Sequence, residues 1–442
     1  MIYRSSNPNL SLDTEISTDI SVANTRSNQQ NIIGDNLTLN SLTEKAGVYL
    51  HKLTLDISNR RVGSRGNRLA TDYFSEVLLS FNYDIECNDF ECIDWSHGGV
   101  SLSVGGMDFN AYVSPYTLGC QVNASLVVAS TVEELQAIDA TSKVILLRGD
   151  ITKEQLMPKN FTFYNPDQHK YIYKLLETKM PAAIISATSR NPELAGGIYP
   201  FPLIEDGDFD IPSVYMTEEE GQRLANYAGS NLALEFDAQR IPSTGCNVIA
   251  RKGTEASRKI VIWAHIDCKD NTPGALDNGS GVVVLMLLAE LLQDYAGNLG
   301  LEIVALNGED YYSAAGEVDY INRYGDKFPD IDLGINLDGA GYRDGNTAYS
   351  LYDPPEIMAS TIPKIFSSYE GIIEGEQWYQ SDHSIFVMNQ RPALAITSDR
   401  FSELSTYITH TPKDHPNLVD VSKLANIALA LRDLILELGN SN

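Results

Sequence analysis

The chain has 442 residues, 43% of them hydrophobic, and its 59 Asp+Glu against 32 Lys+Arg leave a net charge of −27. That surplus would repel phosphates and argues against a nucleic-acid partner, while the length predicts a large core divided among two or three domains. No apolar run reaches the roughly 18 residues of a membrane span, and the first twenty residues, MIYRSSNPNLSLDTEISTDI, hold no apolar signal core.

Residues 1–40, rich in Ser, Asn, Thr and Asp, read as a polar N-terminal extension. Helices are predicted over Leu42–Leu55 and residues 68–81, on either side of a loop that begins Arg60-Arg61-Val62-Gly63. A strand is predicted over Tyr83–Cys92. From about residue 98 the character changes to short β-like runs at Val100–Val104, Ala124–Ala129, Lys143–Arg148, Ala182–Ser186 and Pro212–Met216, with a helix around Tyr171–Thr178. This predicts a small β-rich domain, 99–240, inserted into a larger one made of 41–98 and 241–442. Beyond Gly245, strands and helices alternate. Strands are expected at Cys246–Ala250, Lys259–His265, Leu301–Leu306, Leu333–Leu337, Ala348–Tyr352 and Pro392–Thr397. The helices expected between and after them end with Val421–Leu438. Such alternation predicts an α/β fold with helices on both faces of a mixed, mostly parallel sheet. The five cysteines (Cys87, Cys92, Cys120, Cys246 and Cys268) are odd in number and scattered, which predicts free thiols in a reducing compartment and a cytoplasmic location.

Chemistry-bearing residues gather where predicted strands end. The run Ile260–Ala264 closes in His265-Ile266-Asp267, and a turn-rich loop then delivers Asp277-Asn278-Gly279-Ser280-Gly281. Asn307-Gly308-Glu309-Asp310 closes the next strand, followed by Asp338-Gly339, Ser381-Asp382-His383 and Thr409-His410-Thr411-Pro412-Lys413-Asp414. Each has a plain reading on its own. Acids meet a helix dipole, Asp-Gly marks a turn, Ser caps a helix, and a loop His is solvated. Together they weigh differently, because strand ends of one sense converge on one edge of a parallel sheet. His265, Asp277, Asp310, Asp338 and His410 are two imidazoles and three carboxylates, a donor set suited to a pair of divalent ions such as Zn²⁺ sharing one carboxylate.

In order and spacing these six motifs resemble the M28 family of zinc metallopeptidases, of the di-zinc aminopeptidase type. The resemblance covers roughly 40–98 and 245–440. Val144–Gly149, Ala182–Ile185 and Ile211–Val214 resemble the protease-associated domain often inserted in that family. The resemblance implies a zinc-exopeptidase (phosphorylase/hydrolase-like) fold, a peptide substrate and two Zn²⁺ per chain, and it says nothing of oligomeric state. His265 and Asp338 would hold one zinc, Asp310 and His410 the other, and Asp277 would bridge, with a cis peptide bond after it. Asp267 would hydrogen-bond the far nitrogen of His265. Glu309 would be the general base that takes a proton from the attacking water. Asp382, His383 and Asp414 would support the ligands from behind. Two positions depart from the family pattern: the second acid is Asp310 rather than Glu, and Thr409 stands where some relatives carry Tyr. Other functions implied by the fold are a glutaminyl-cyclase-like acyltransferase with one zinc, and a receptor that has lost catalysis.

Overall fold

β-strands run through the computed structural model, which describes residues 39–57, 59–190 and 197–440. The polar extension expected over 1–40 lies outside them except for its last two residues. In chain order the strands are β1 Asp84–Val104, β2 Met107–Asp108, β3 Tyr112–Val113, β4 Cys120–Ala129, β5 Val144–Leu147, β6 Ala183–Thr188, β7 Ser213–Thr217, β8 Asn231–Lys252, β9 Lys259–His265, β10 Gly300–Leu306, β11 Ile331–Leu337, β12 Thr347–Tyr352, β13 Ile372–Glu374 and β14 Ala393–Ser398. They form one sheet, ordered β13-β12-β14-β11-β9-β10-β8-β4-β5-β6-β7-β3, with β1 against β8 and β2 against β1.

The centre of the larger body is parallel: β9 pairs with β10 and β11, and β11 with β14. β8 and β12 run antiparallel at its flanks. The parallel strands are buried on both faces, as continuous runs such as Ile260–Ala264 require. Ile260, Ile262 and Ala264 face the helix Ser280–Leu291 and the C-terminal helix Val421–Asn440. Val261 and Trp263 face the other way, where the Trp263 ring stacks on Phe386 at 4.0 Å. The helix Ser280–Leu291, VVVLMLL at its centre, is buried all round, so its apolar surface finds partners on every side. This arrangement brings the ends of β9, β10 and β11 to one edge.

The segment between β1 and β8 packs one apolar cluster of its own around β5 and β6 and shares a second with Val62, Phe90 and Tyr311 of the larger body. Its connection to the larger body differs from expectation. β1 and β8 are strands of 21 and 22 residues, paired from Asp84↔Arg251 to Val104↔Leu232 with one register shift between His97 and Val100. Residues 99 and 240, expected as boundaries, therefore lie within a continuous ribbon. Gly98-Gly99 and Pro242 interrupt the strand pattern in sequence, while in space they sit at a bulge and a ladder position.

The free-thiol expectation fails at two of the five cysteines. Cys87 and Cys246, 159 residues apart, form a disulfide across the ribbon, and Cys92, Cys120 and Cys268 remain thiols. Spacing along the chain hides a pair that only the β1–β8 ladder creates. The thiol argument for a reducing compartment goes with it.

Candidate metal centre

His265 is the last residue of β9. Asp277 lies in the turn Ala275–Gly279 just before the helix Ser280–Leu291. Asp310 and Asp338 follow β10 and β11, and His410 follows the helix Phe401–Tyr407 in a left-handed conformation, φ 61°. The fold brings these five together. Ligand-type atoms of His265, Asp277 and Asp338 lie within 4.8 Å of one another, and so do those of Asp277, Asp310 and His410. Asp277 belongs to both groups. Its Oδ1 is 3.1 Å from His265 Nε2 and its Oδ2 is 3.0 Å from His410 Nε2. His410 Nε2 is also 3.1 Å from Asp310 Oδ1, and His265 Nε2 is 3.8 Å from Asp338 Oδ1.

These groups crowd at ion-pair distance without hydrogen-bonding one another. Both ring nitrogens of the buried His265, and Asp310 Oδ2, have no hydrogen-bond partner. Orphaned buried polar atoms are costly, and here they aim at their fellow donors. Burial pulls both imidazoles down, yet the facing carboxylates outweigh it and hold His265 and His410 well above the usual histidine range. Burial pushes the Asp277 carboxyl up, and the two imidazoles overcome it and hold it far below the usual range. Glu309 joins His265 and Asp310 in a third close group. Burial lifts its carboxyl well above the usual carboxylate range, with Asp310, Asp338 and Asp382 adding to the effect against His265. A knot of carboxylates that holds imidazoles charged is short of positive charge, and borderline divalent ions fit its donor set.

Backbone contacts hold the donors in place. Asp267 Oδ1 accepts from Gly308 N at 2.9 Å and Oδ2 from Asp310 N at 3.0 Å, while His265 Nδ1 stands 3.6 Å away. Asp267 thus braces the loop after β10, and the expected hydrogen bond to His265 is replaced by a longer electrostatic contact. Asp414 accepts from Leu276 N at 2.7 Å and Asp277 N at 3.0 Å. Burial first, then the Asp277 charge, raises the Asp414 carboxyl to about 7. The Asp277–Asn278 peptide is cis, as the resemblance implies. Asn278 Nδ2 donates to Leu337 O at 2.7 Å, tying this turn to the end of β11.

Residues 247–435 match the family model described as Peptidase family M28. That segment contains the whole candidate centre, from His265 to His410. Over 358 residues it is 24% identical to a protein named leucine aminopeptidase 2 from Trichophyton rubrum, covering 76% of this chain and 68% of that one. The fold is similar to that of an aminopeptidase from Aneurinibacillus sp., with a TM-score of 0.71, 21% identity and coverage of 90% and 94%. A structure titled as a zinc aminopeptidase from Bacillus subtilis gives 0.70, 19%, 90% and 95%.

Around this centre stand residues that the sequence did not single out. Arg60, fully buried, donates to the carbonyls of Leu53, Ile266, Pro273 and Gly274 at 2.7–2.9 Å, so one guanidinium fork holds both ends of the loop between His265 and Asp277. Lys269 Nζ donates to Glu205 of the inserted segment and to the carbonyl of Asp310, each at 2.9 Å. Glu317 is buried, and its Oε2 has no partner. A Cβ on Gly308, at φ 144°, would stand 2.9 Å from that oxygen, so glycine is what admits the carboxylate there. Neither Arg60 nor Glu317 carries a local signal, since an Arg in a loop and a Glu in a first helical turn are ordinary on the surface.

The remaining expected residues sit further back. Asp382 is buried at the start of the helix His383–Met388 with Oδ2 unpartnered. Burial raises its carboxyl well above the usual range, and Glu317 is the foremost charge adding to this. His383 Nε2 donates to Trp378 O at 2.6 Å, its ring beside the Trp378 ring. Burial lowers its pKa. Cys268 faces Thr272 O at 3.8 Å and stays out of the donor groups. Thr409 is buried, and Tyr407 is 61% exposed.

Proposed function

We propose that this chain is a zinc-dependent aminopeptidase that holds two zinc ions, one by His265, Asp338 and Asp277, the other by Asp310, His410 and the same Asp277. The observation that carries the reading is the splitting of the Asp277 oxygens between the two histidines, 3.1 and 3.0 Å away. Two complete three-donor groups favour it over a one-zinc acyltransferase or a receptor that has lost its ligands. Bound zinc would supply Lewis acidity, polarising a peptide carbonyl and acidifying a water.

The chain's own residues supply the proton handling. Glu309, with its carboxyl raised by burial and by neighbouring carboxylates, has the proton affinity to take a proton from water and return it to the departing amine. Asp267 fixes the backbone on both sides of Glu309 through Gly308 N and Asp310 N, which limits how far its carboxylate can wander. The cations beside the centre, Lys269 and Arg61, are held by Glu205 and by Asp94 and Asp270, so neither is free to receive a peptide's carboxylate end, which favours the amino end. The names of the relatives support the same choice.

The test is Glu309→Gln. It keeps two zinc per chain by elemental analysis and lowers kcat on aminoacyl anilides by roughly 10²–10⁴-fold, the usual contribution of a general base. Unchanged turnover would remove Glu309 from the mechanism, and a wild-type protein with one zinc per chain would remove the two-ion reading.

A further inference from the structure

A cavity of about 240 Å³ lies between the inserted segment and the metal centre, with Asp310 in its wall. Resting on the peptidase reading above, we infer that it is the subsite for one large aromatic side chain of the peptide substrate, and that the inserted segment supplies its selectivity.

Its size suits one side chain, since pockets for drug-sized ligands run to about 300–1,000 Å³. Rings line it: Trp95 on β1, Tyr112 on β3, Tyr116 beyond it and Tyr215 on β7. They come in two groups. Trp95 lies 6.0 Å from Tyr116 and stacks on His97 at 4.2 Å, while Tyr112 and Tyr215 lie 5.3 Å apart. Rings in a cavity wall offer faces and edges to a further ring in offset or edge-on contact. The charges in the wall are engaged in pairs. Arg61 is held by Asp94 at 2.6 Å and Asp270 at 2.7 Å, His97 stands 3.7 Å from Asp270, and Lys269 is held by Glu205 at 2.9 Å. Asp310, the wall's remaining charge, belongs to the donor groups of the metal centre, so a charged side chain would be desolvated without a partner of its own, whereas an apolar one leaves every pair intact. The register shift between His97 and Val100 lies at the cavity, and Gly98 and Gly99 at that shift line it. A Cβ on Gly99 would meet nothing within 4 Å, so a side chain placed there has room to intrude.

The experiment compares the zinc-loaded full chain with Tyr112→Ala and Gly99→Leu on Ala-Ala, Phe-Ala and Ala-Phe dipeptides. Tyr112 is half-exposed, so its truncation spares the core. The Phe-to-Ala ratio of kcat/KM is expected to fall about tenfold in both variants, in line with the discrimination of apolar pockets. The series that responds, Phe-Ala or Ala-Phe, tells which side of the scissile bond the cavity serves. Ratios unchanged in both series and both variants would overturn the subsite and leave the peptidase reading standing. A wild-type chain that hydrolyses none of the three would overturn the peptidase reading and the subsite with it.

Discussion

Asp277 divides its carboxylate between two histidines that belong to different halves of the centre, Oδ1 toward His265 and Oδ2 toward His410. Both halves therefore depend on one side chain, and that side chain depends on a backbone held by Asp414 and Asn278.

Removing the shared donor and removing an unshared one should differ in kind. Asp277→Ala is expected to lose both zinc ions together. Asp310→Ala should lose only the ion beside His410 and keep the one at His265 and Asp338. Replacement of residues that merely orient ligands costs about 10–100-fold in metal affinity, so these direct losses should exceed that. Zinc counted by elemental analysis after dialysis decides it, and one zinc retained in Asp277→Ala would mean the bridge is misassigned.

Metal removal should destabilise the fold. The buried carboxylates of Asp277 and Asp310 and the half-buried one of Asp338 then crowd together around imidazoles that must take up protons. A ligand bound only by the folded chain stabilises it by about 2.7 kcal/mol at a concentration 100 times its Kd. Thermal melts with and without chelator should show a lower Tm for the stripped protein, recovered on zinc addition. Equal melting temperatures would count against tight binding by the native state.

Arg60→Met is expected to weaken the fold strongly, because four buried carbonyls lose their donor. Each such loss costs about 1–3 kcal/mol before relaxation. Zinc affinity should fall as well, since the loop from Ile266 to Gly274 leads into Asp277. Arg60→Lys should rescue little, because an ammonium cannot span the fork. A full rescue by Lys would show that charge matters here and the fork does not.

Lys269 joins the inserted segment to the Asp310 carbonyl. Lys269→Met leaves the buried Glu205 with the Gln155 hydrogen bond but without its cation, and breaking a buried pair costs about 3–5 kcal/mol. Adding Glu205→Gln should recover part of that. A double-mutant cycle on chemical unfolding should give a coupling within about 0.5–3 kcal/mol. A coupling near zero would mean that the two side chains act independently.

The parallel centre was legible from residues alone. Ile260–Ala264 has an apolar run whose length and β-branching leave one reading, and β9 spans Lys259–His265 as expected. The donor residues were legible because chemistry-bearing side chains stop each such run. The ribbon was not legible, because alternation in half-exposed strands is easily broken by Gly98-Gly99 and Pro242. Arg60, Lys269 and Glu317 were hidden for another reason. Their roles come from contacts across 41 to 214 residues of chain for the two cations and, for Glu317, from the space that Gly308 leaves. No local pattern encodes such meetings.

The β1–β8 ribbon makes the inserted segment a cantilever. Its two points of attachment are adjacent strands of one hydrogen-bonded ladder, clamped by the Cys87–Cys246 disulfide at the root. Swinging the segment away from the metal centre would require bending both beams together, whereas two separate linkers would let it swivel freely. The cavity between the segment and Asp310 is then held open at a width that the ribbon sets.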